Sequence, residues 1–216
     1  MIQKMLRTIT AKYHLNGITL GEFGKMNLGV MNYRIWAFHA EGLGHVSAMT
    51  ASGMMGLMKR DILIINPTEK DLPLLSYDRV NSLGNDTLTY ALYDTVLDPC
   101  NLSLVEAVSE KYASLPDHDP GEHWYDAIKL PLSLAKKGKK AQGAAFDSCA
   151  MEYLDAFLAA ADTAEYCEPS PKKDKASVYV EGLLTNGSPF TDAFKKDLGE
   201  EKTAELFRNI LFGTGR

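Results

Sequence analysis

The chain has 216 residues, with 23 Lys+Arg against 28 Asp+Glu and a formal net charge of −5. That balance argues against a protein that coats nucleic acid, since neutralising phosphates takes a basic surplus. Three scattered cysteines without a CxxC pair (Cys100, Cys149, Cys167) suit reduced thiols and no metal cluster. No apolar stretch approaches the roughly 20 residues of a spanning helix, so a cytoplasmic chain with no membrane partner is expected.

In chain order, Ile2, Met5, Leu6 and Ile9 stand at helical spacing, which predicts a short amphipathic helix over residues 1–14. Glycines from Gly17 to Gly29 break it into loop or short turns. Strands are predicted at residues 34–38, 45–52 and 57–65, the last stopped by Asn66-Pro67. Two more follow at residues 72–80 and 87–97, joined through the Gly/Asn/Asp-rich residues 81–86. Such short connections imply an antiparallel meander.

Asp98-Pro99 reads as a helix start, with Leu104, Val105, Val108 and Tyr112 as its buried stripe. A further strand is expected near residues 127–135, at an edge because of Pro131. A long apolar helix carries Phe146, Ala150, Tyr153, Leu154, Phe157, Leu158 and Ala161. Residues 168–175 read as a solvated linker. Ser188-Pro189 then opens a capped helix closed by Gly199, and a last helix runs over residues 201–212. The sum is a single α+β domain over residues 1–216, a central antiparallel sheet with helices on both faces.

Nucleotide-binding, zinc-protease and hydrolase signatures are absent: there is no GxGxxG after a strand, no GxxxxGK[ST], no HExxH and no GxSxG. Asp117-His-Asp119 with Glu122-His123 is the densest group of metal-ligand types, but it lies in a loop and no metal is expected. His14, His39 and His45 could line a pocket, though a lone histidine at a strand end is more often a satisfied structural residue. Period-two alternation puts Leu88, Tyr90, Leu92 and Asp94 on one face. A carboxylate in that company would be desolvated, its pKa raised toward that of a general acid. The same spacing also fits an Asp94 that ends the strand and caps the next turn.

Three ordered segments resemble the ferredoxin-dependent bilin reductases. Asp61-Ile-Leu-Ile-Ile-Asn-Pro with Asp71-Leu-Pro-Leu-Leu-Ser-Tyr-Asp78 looks like that family's strand and "DLPxFGxD" hairpin. Leu88-Thr-Tyr-Ala-Leu-Tyr-Asp94 looks like the next strand, which ends in its catalytic aspartate. Residues 186–199 with 205–212 look like its C-terminal helices. The resemblance implies a three-layer α/β/α sandwich with a six- or seven-stranded sheet. A linear tetrapyrrole such as biliverdin would lie between the sheet and the C-terminal helices, with no bound cofactor and with electrons from ferredoxin or flavodoxin.

Carried over, Asp94 would be the proton donor and Asn186 a pocket residue. Leu75 stands where the phycocyanobilin branch has a histidine, and Leu63 where it has a glutamate. Lys129 is the candidate for clamping a propionate. The runs Lys136–Lys140 and Lys172–Lys175 fit docking of an acidic carrier. Two alternatives stay open: a non-catalytic binder of a tetrapyrrole or another flat ligand on the same scaffold, and a plain interaction domain with no cavity.

Overall fold

The computed structural model describes residues 1–215. Helix α1 (Ile2–Thr10) buries its four periodic apolar residues. Strands β1 (Leu15–Gly17) and β2 (Lys25–Leu28) both pair with β3 (Met31–Ala40). From there β4 (Gly44–Gly53), β5 (Met58–Asn66), β6 (Leu74–Ser82), β7 (Asn85–Tyr93) and β8 (Leu134–Lys139) continue one antiparallel meander. The sheet has eight strands, one more than the upper expectation. The extra pairing comes from residues 15–28, where the glycines suggested only loop.

Helix α2 (Ser103–Lys111) and the 21-residue α3 (Gly143–Thr163) cover one face with α1. On the other face lie α4 (Pro169–Asn186), α5 (Pro189–Leu198), α6 (Glu200–Glu205) and a π-helical turn over Leu206–Leu211. Two apolar clusters result, one on each side of the sheet. The α3 side holds Leu63, Leu75, Tyr77, Tyr90 and Phe157. The C-terminal side holds Ile62, Ile64, Tyr93, Tyr179 and Phe207. The three-layer α+β sandwich is therefore the observed fold.

Several boundaries differ from expectation for physical reasons. Residues 169–186 form α4, not a linker. Pro169 and Pro171 occupy its first turn, where a missing N–H costs nothing. Lys172 is fully buried there and donates to Leu72 O (2.6 Å) and Thr95 O (2.8 Å), with Asp71 at 3.3 Å. Burial pulls the Lys172 pKa down against the opposing Asp71 charge. Lys136 is likewise buried, donating to Ala113 O, Leu115 O and Asp117. Neither lysine run is thus a continuous docking patch.

The strand expected at residues 127–135 is displaced. Trp124–Ile128 is a 3₁₀ turn, residues 129–130 touch the end of β7 through a single bridge, and β8 begins only after Pro131. Within α2 only Val105 is buried, and Leu104 faces solvent.

Candidate functional site

Between the sheet and the C-terminal helices lies a cavity of about 350 Å³. Its floor is the set of alternate residues that β5, β6 and β7 turn away from α3: Arg60, Ile62 and Ile64, then Ser76 and Asp78, then Thr89, Ala91 and Tyr93. Cross-strand register fixes this row, with Ile62 opposite Asp78, Asp78 opposite Thr89, and Ser76 opposite Ala91. A pleated strand exposes every second side chain to one face, so the floor follows from pairing alone.

At the centre of that floor Asp78 accepts two hydrogen bonds from Arg60, from Nε at 2.9 Å and from Nη2 at 2.6 Å. The bidentate fork orients both carboxylate oxygens. Burial, the largest single influence, disfavours the guanidinium charge, but the charge and hydrogen bonds of Asp78 together with the Tyr33 and Tyr125 phenols raise the Arg60 pKa on balance. Phe190 covers the same guanidinium, 4.7 Å from ring centroid to Cζ. It is brought there by the α5 cap: Ser188 Oγ accepts from Thr191 N at 3.1 Å, and Pro189 starts the helix.

The walls are aromatic. Tyr93 stacks on Tyr179 of α4 at 4.0 Å, and Tyr125 meets both rings edge-on at 5.9 and 6.2 Å. Burial raises the pKa of all three phenols. Phe212 closes the set 5.8 Å from Tyr179, at the end of the π turn. Trp124 packs behind Tyr125 and donates to Gly187 O at 3.0 Å.

The loop before β8 contributes His118, His123 and Lys129. His123 stacks on Tyr125 at 4.8 Å, its backbone N–H donating to Asp126 Oδ2 at 2.7 Å. Its Nδ1 is buried with no hydrogen-bond partner among the described residues. Lys129 donates to Asp126 Oδ1 at 2.7 Å. Burial raises the Asp126 pKa less than the Lys129 hydrogen bond, the leading cause, lowers it.

Of the residues singled out from sequence, the cavity takes up Lys129, together with Asp119 and His123 of the metal-ligand-type loop, and leaves out Asp94, Leu75 and Asn186. Leu88, Tyr90 and Leu92 do share one buried face, but it packs on α3, where Tyr90 Oη donates to Ala150 O at 2.8 Å. Strand β7 ends at Tyr93, and Asp94 turns outward, exposed, with its N–H donating to Ile128 O. The desolvated carboxyl expected at Asp94 is not there. Leu75 and Leu63 are fully buried on the α3 side, across the sheet from the cavity, and Asn186 is exposed at the end of α4.

Sequence reading missed Asp78, Arg60 and the tyrosines. The usable signal was the alternation of Ser76 and Asp78 with apolar Leu75 and Tyr77 along β6. No group of three or more His, Cys, Asp or Glu able to hold a metal exists among the described residues.

Set beside solved structures, the architecture is similar to tomato phytochromobilin synthase in complex with biliverdin, with a TM-score of 0.80. The chain has the phytochromobilin synthase fold. The likeness covers 99% of this chain and 82% of that one at 15% sequence identity. No family model matches the sequence, and no curated protein does. No helix among the described residues is long and apolar enough to cross a membrane.

Proposed function

We propose that the cavity binds a linear tetrapyrrole such as biliverdin and that the protein reduces it with electrons from ferredoxin or flavodoxin. The observation that carries this reading is the half-buried Arg60–Asp78 pair in the floor of an aromatic cavity on a fold shared with a biliverdin-bound enzyme. A bilin is flat and conjugated, with pyrrole N–H donors along one edge and two propionates. Tyr93, Tyr125, Tyr179 and Phe212 offer ring faces and edges to the conjugated plane. Asp78, its oxygens already oriented, accepts from pyrrole N–H groups and stabilises positive charge as the pigment is protonated. Lys129 is the cation available to a propionate.

Adding two electrons to a carbon–carbon double bond requires two protons. Both protons come ultimately from solvent; His123 and Asp78 are the cavity groups that can relay them, Asp78 by taking up a proton at its ionised carboxylate and handing it on. Tyr93, its pKa raised by burial, keeps its proton and serves as a hydrogen-bond donor. The proton-donating role that resemblance assigns to Asp94 passes to Asp78 in this proposal.

The test mixes the protein with biliverdin, ferredoxin and a reducing system and follows the pigment spectrum. The wild-type chain should shift or bleach it. Asp78→Asn should slow turnover by about ten-fold or more, the lower range for losing an acid–base group, and Asp94→Asn by less than about two-fold. The reverse ranking restores Asp94. Tight binding without turnover makes the protein a pigment carrier, and no spectral change with biliverdin sinks the reading.

A further inference from the structure

A single row of paired residues crosses the sheet near one end: Met31 with Gly53, Gly53 with Met58, Met58 with Ser82, Ser82 with Asn85, and Asn85 with Lys139. Just beyond this row stand three turns. Their tips carry Val30, Met54, Met55, Leu57 and Leu83, exposed by 73, 44, 101, 55 and 68%. The turns touch one another. Leu83 N donates to Leu57 O at 3.4 Å, and a Cβ on Gly53 would lie 2.8 Å from Val30 O.

Among the described residues, the non-glycine residues with positive φ are Met54, Met55 and Leu83, at 51°, 55° and 50°. All three belong to this ridge. Left-handed backbone is unfavourable for such side chains, and turn positions of this kind suit Gly or Asn. Exposed apolar side chains held on strained tips are costly twice over, which marks the ridge as a contact surface.

Its surroundings are basic. Lys59 follows Met58 and is exposed. Lys139 donates to the Asn85 side chain at 2.8 Å, and the Lys140 N–H bonds Gly84 O at 3.1 Å. Lys25 and Arg34, opposite one another in the β2–β3 pair, are exposed a few residues further in. Of the carboxylates nearby, Asp86 and Asp147 are tied to Arg79, and Asp197 lies beside Gly29.

We propose that this ridge docks the protein onto an anionic lipid surface, the methionine and leucine tips entering the headgroup layer and the lysines meeting lipid phosphates. A row of exposed apolar side chains flanked by lysines fits a fluid anionic surface that takes up the apolar tips and meets the lysines with phosphates, whereas a folded partner would need a matching groove. No spanning helix is involved, and the inference is independent of what the cavity binds.

The test is co-sedimentation of the full chain with vesicles of phosphatidylcholine, alone or with about a third phosphatidylserine, the anionic lipid to which basic residues are drawn. Recovery on the anionic vesicles should be roughly ten-fold higher and should fall steeply with salt. The double variant Met54→Asp/Met55→Asp should lose most of it; aspartate tolerates left-handed backbone, and an unchanged melting curve verifies folding. Lys139→Glu/Lys140→Glu should abolish the preference for anionic over neutral vesicles. No sedimentation, equal recovery on both vesicle types, or full recovery of the aspartate variant overturns the proposal. So does a ridge-dependent complex with soluble polyglutamate in place of vesicles, which would assign the surface to an acidic protein.

Discussion

At the scale of single residues, the sharpest mismatch between sequence and backbone is Leu83. It forms with Gly84 a two-residue hairpin loop between paired Ser82 and Asn85, and both central φ angles are positive, 50° and 82°. That geometry prefers Asn-Gly. Leu83→Asn should therefore stabilise the protein by about 1 kcal/mol, the lower end of the cost of left-handed backbone. Urea unfolding reads this directly, and an unchanged or lower midpoint would show that Leu83 makes compensating contacts. Asp78 illustrates the converse case. Its role depends on a neighbour 18 positions earlier in sequence, because Arg60 reaches it only after β5 and β6 pair. Nothing local in the sequence announces that contact.

Among elements, α4 shows how packing governs the site. Gly182 sits in that helix directly against Trp124, and a Cβ there would come within 2.2 Å of the indole. Alanine would gain about 1 kcal/mol of helix propensity, but overpacking a fitted ring costs about 1–3 kcal/mol. The second effect wins or cancels the first. Gly182→Ala should leave the melting temperature equal or lower while displacing Trp124 and the Tyr125 it supports. Measured by tryptophan fluorescence and biliverdin titration, pigment affinity should drop by about ten-fold if the displaced packing costs some 1.4 kcal/mol of binding.

The elements themselves were largely legible. Apolar periodicity located α1, the strands from β3 to β7 and α3, since each buries one regular stripe or face, and the Ser188-Pro189 cap with Gly199 located α5. Helix α4 was hidden by its Pro-Ser-Pro opening and its charges. The burial of Lys172 against two carbonyls and Asp71 can be seen only once β6 and the segment after β7 are in place. The site suffered from a subtler problem. Both faces of the sheet are covered, so in β5 the apolar run Ile62–Ile65 shows no alternation, and in β6 and β7 the alternation does not say which face meets the cavity. A shift of one position then exchanges Leu75 for Ser76 and Asp94 for Tyr93. Leu63 is misplaced in the same way, between cavity-facing Ile62 and Ile64.

For the molecule as a whole, the end of the chain is fastened to the sheet by side chains. His45 Nε2 bonds Ile210 O at 2.8 Å, Ser47 Oγ donates to Leu211 O at 2.6 Å, and Asn66 Nδ2 donates to Phe212 O at 2.8 Å. These bonds satisfy carbonyls at the helix end and hold Phe212 over the cavity. Burial pushes the His45 pKa down to about 4, despite the two carbonyls that favour its charged form.

Unfolded histidine titrates near 6.5, so between those values the unfolded chain binds a proton that the native state refuses. Stability is complete above about pH 6.5 and is lost as pH falls toward 4, by roughly 3 kcal/mol for this one group. Unfolding free energies measured across that range should show the slope, and His45→Gln should flatten it. An equal slope in the variant would place the acid sensitivity elsewhere.

The interleaving of the two faces along β5, β6 and β7 has a consequence for how such a protein changes over evolutionary time. Residues that line the cavity and residues that hold the α3-side core are neighbours in sequence yet are separated by the thickness of the sheet. Selection can therefore rewrite the cavity chemistry at alternate codons while leaving the residues packed on α3 untouched. A scaffold of this kind keeps its shape while its lining drifts, so ancestry fades from the sequence long before it fades from the fold.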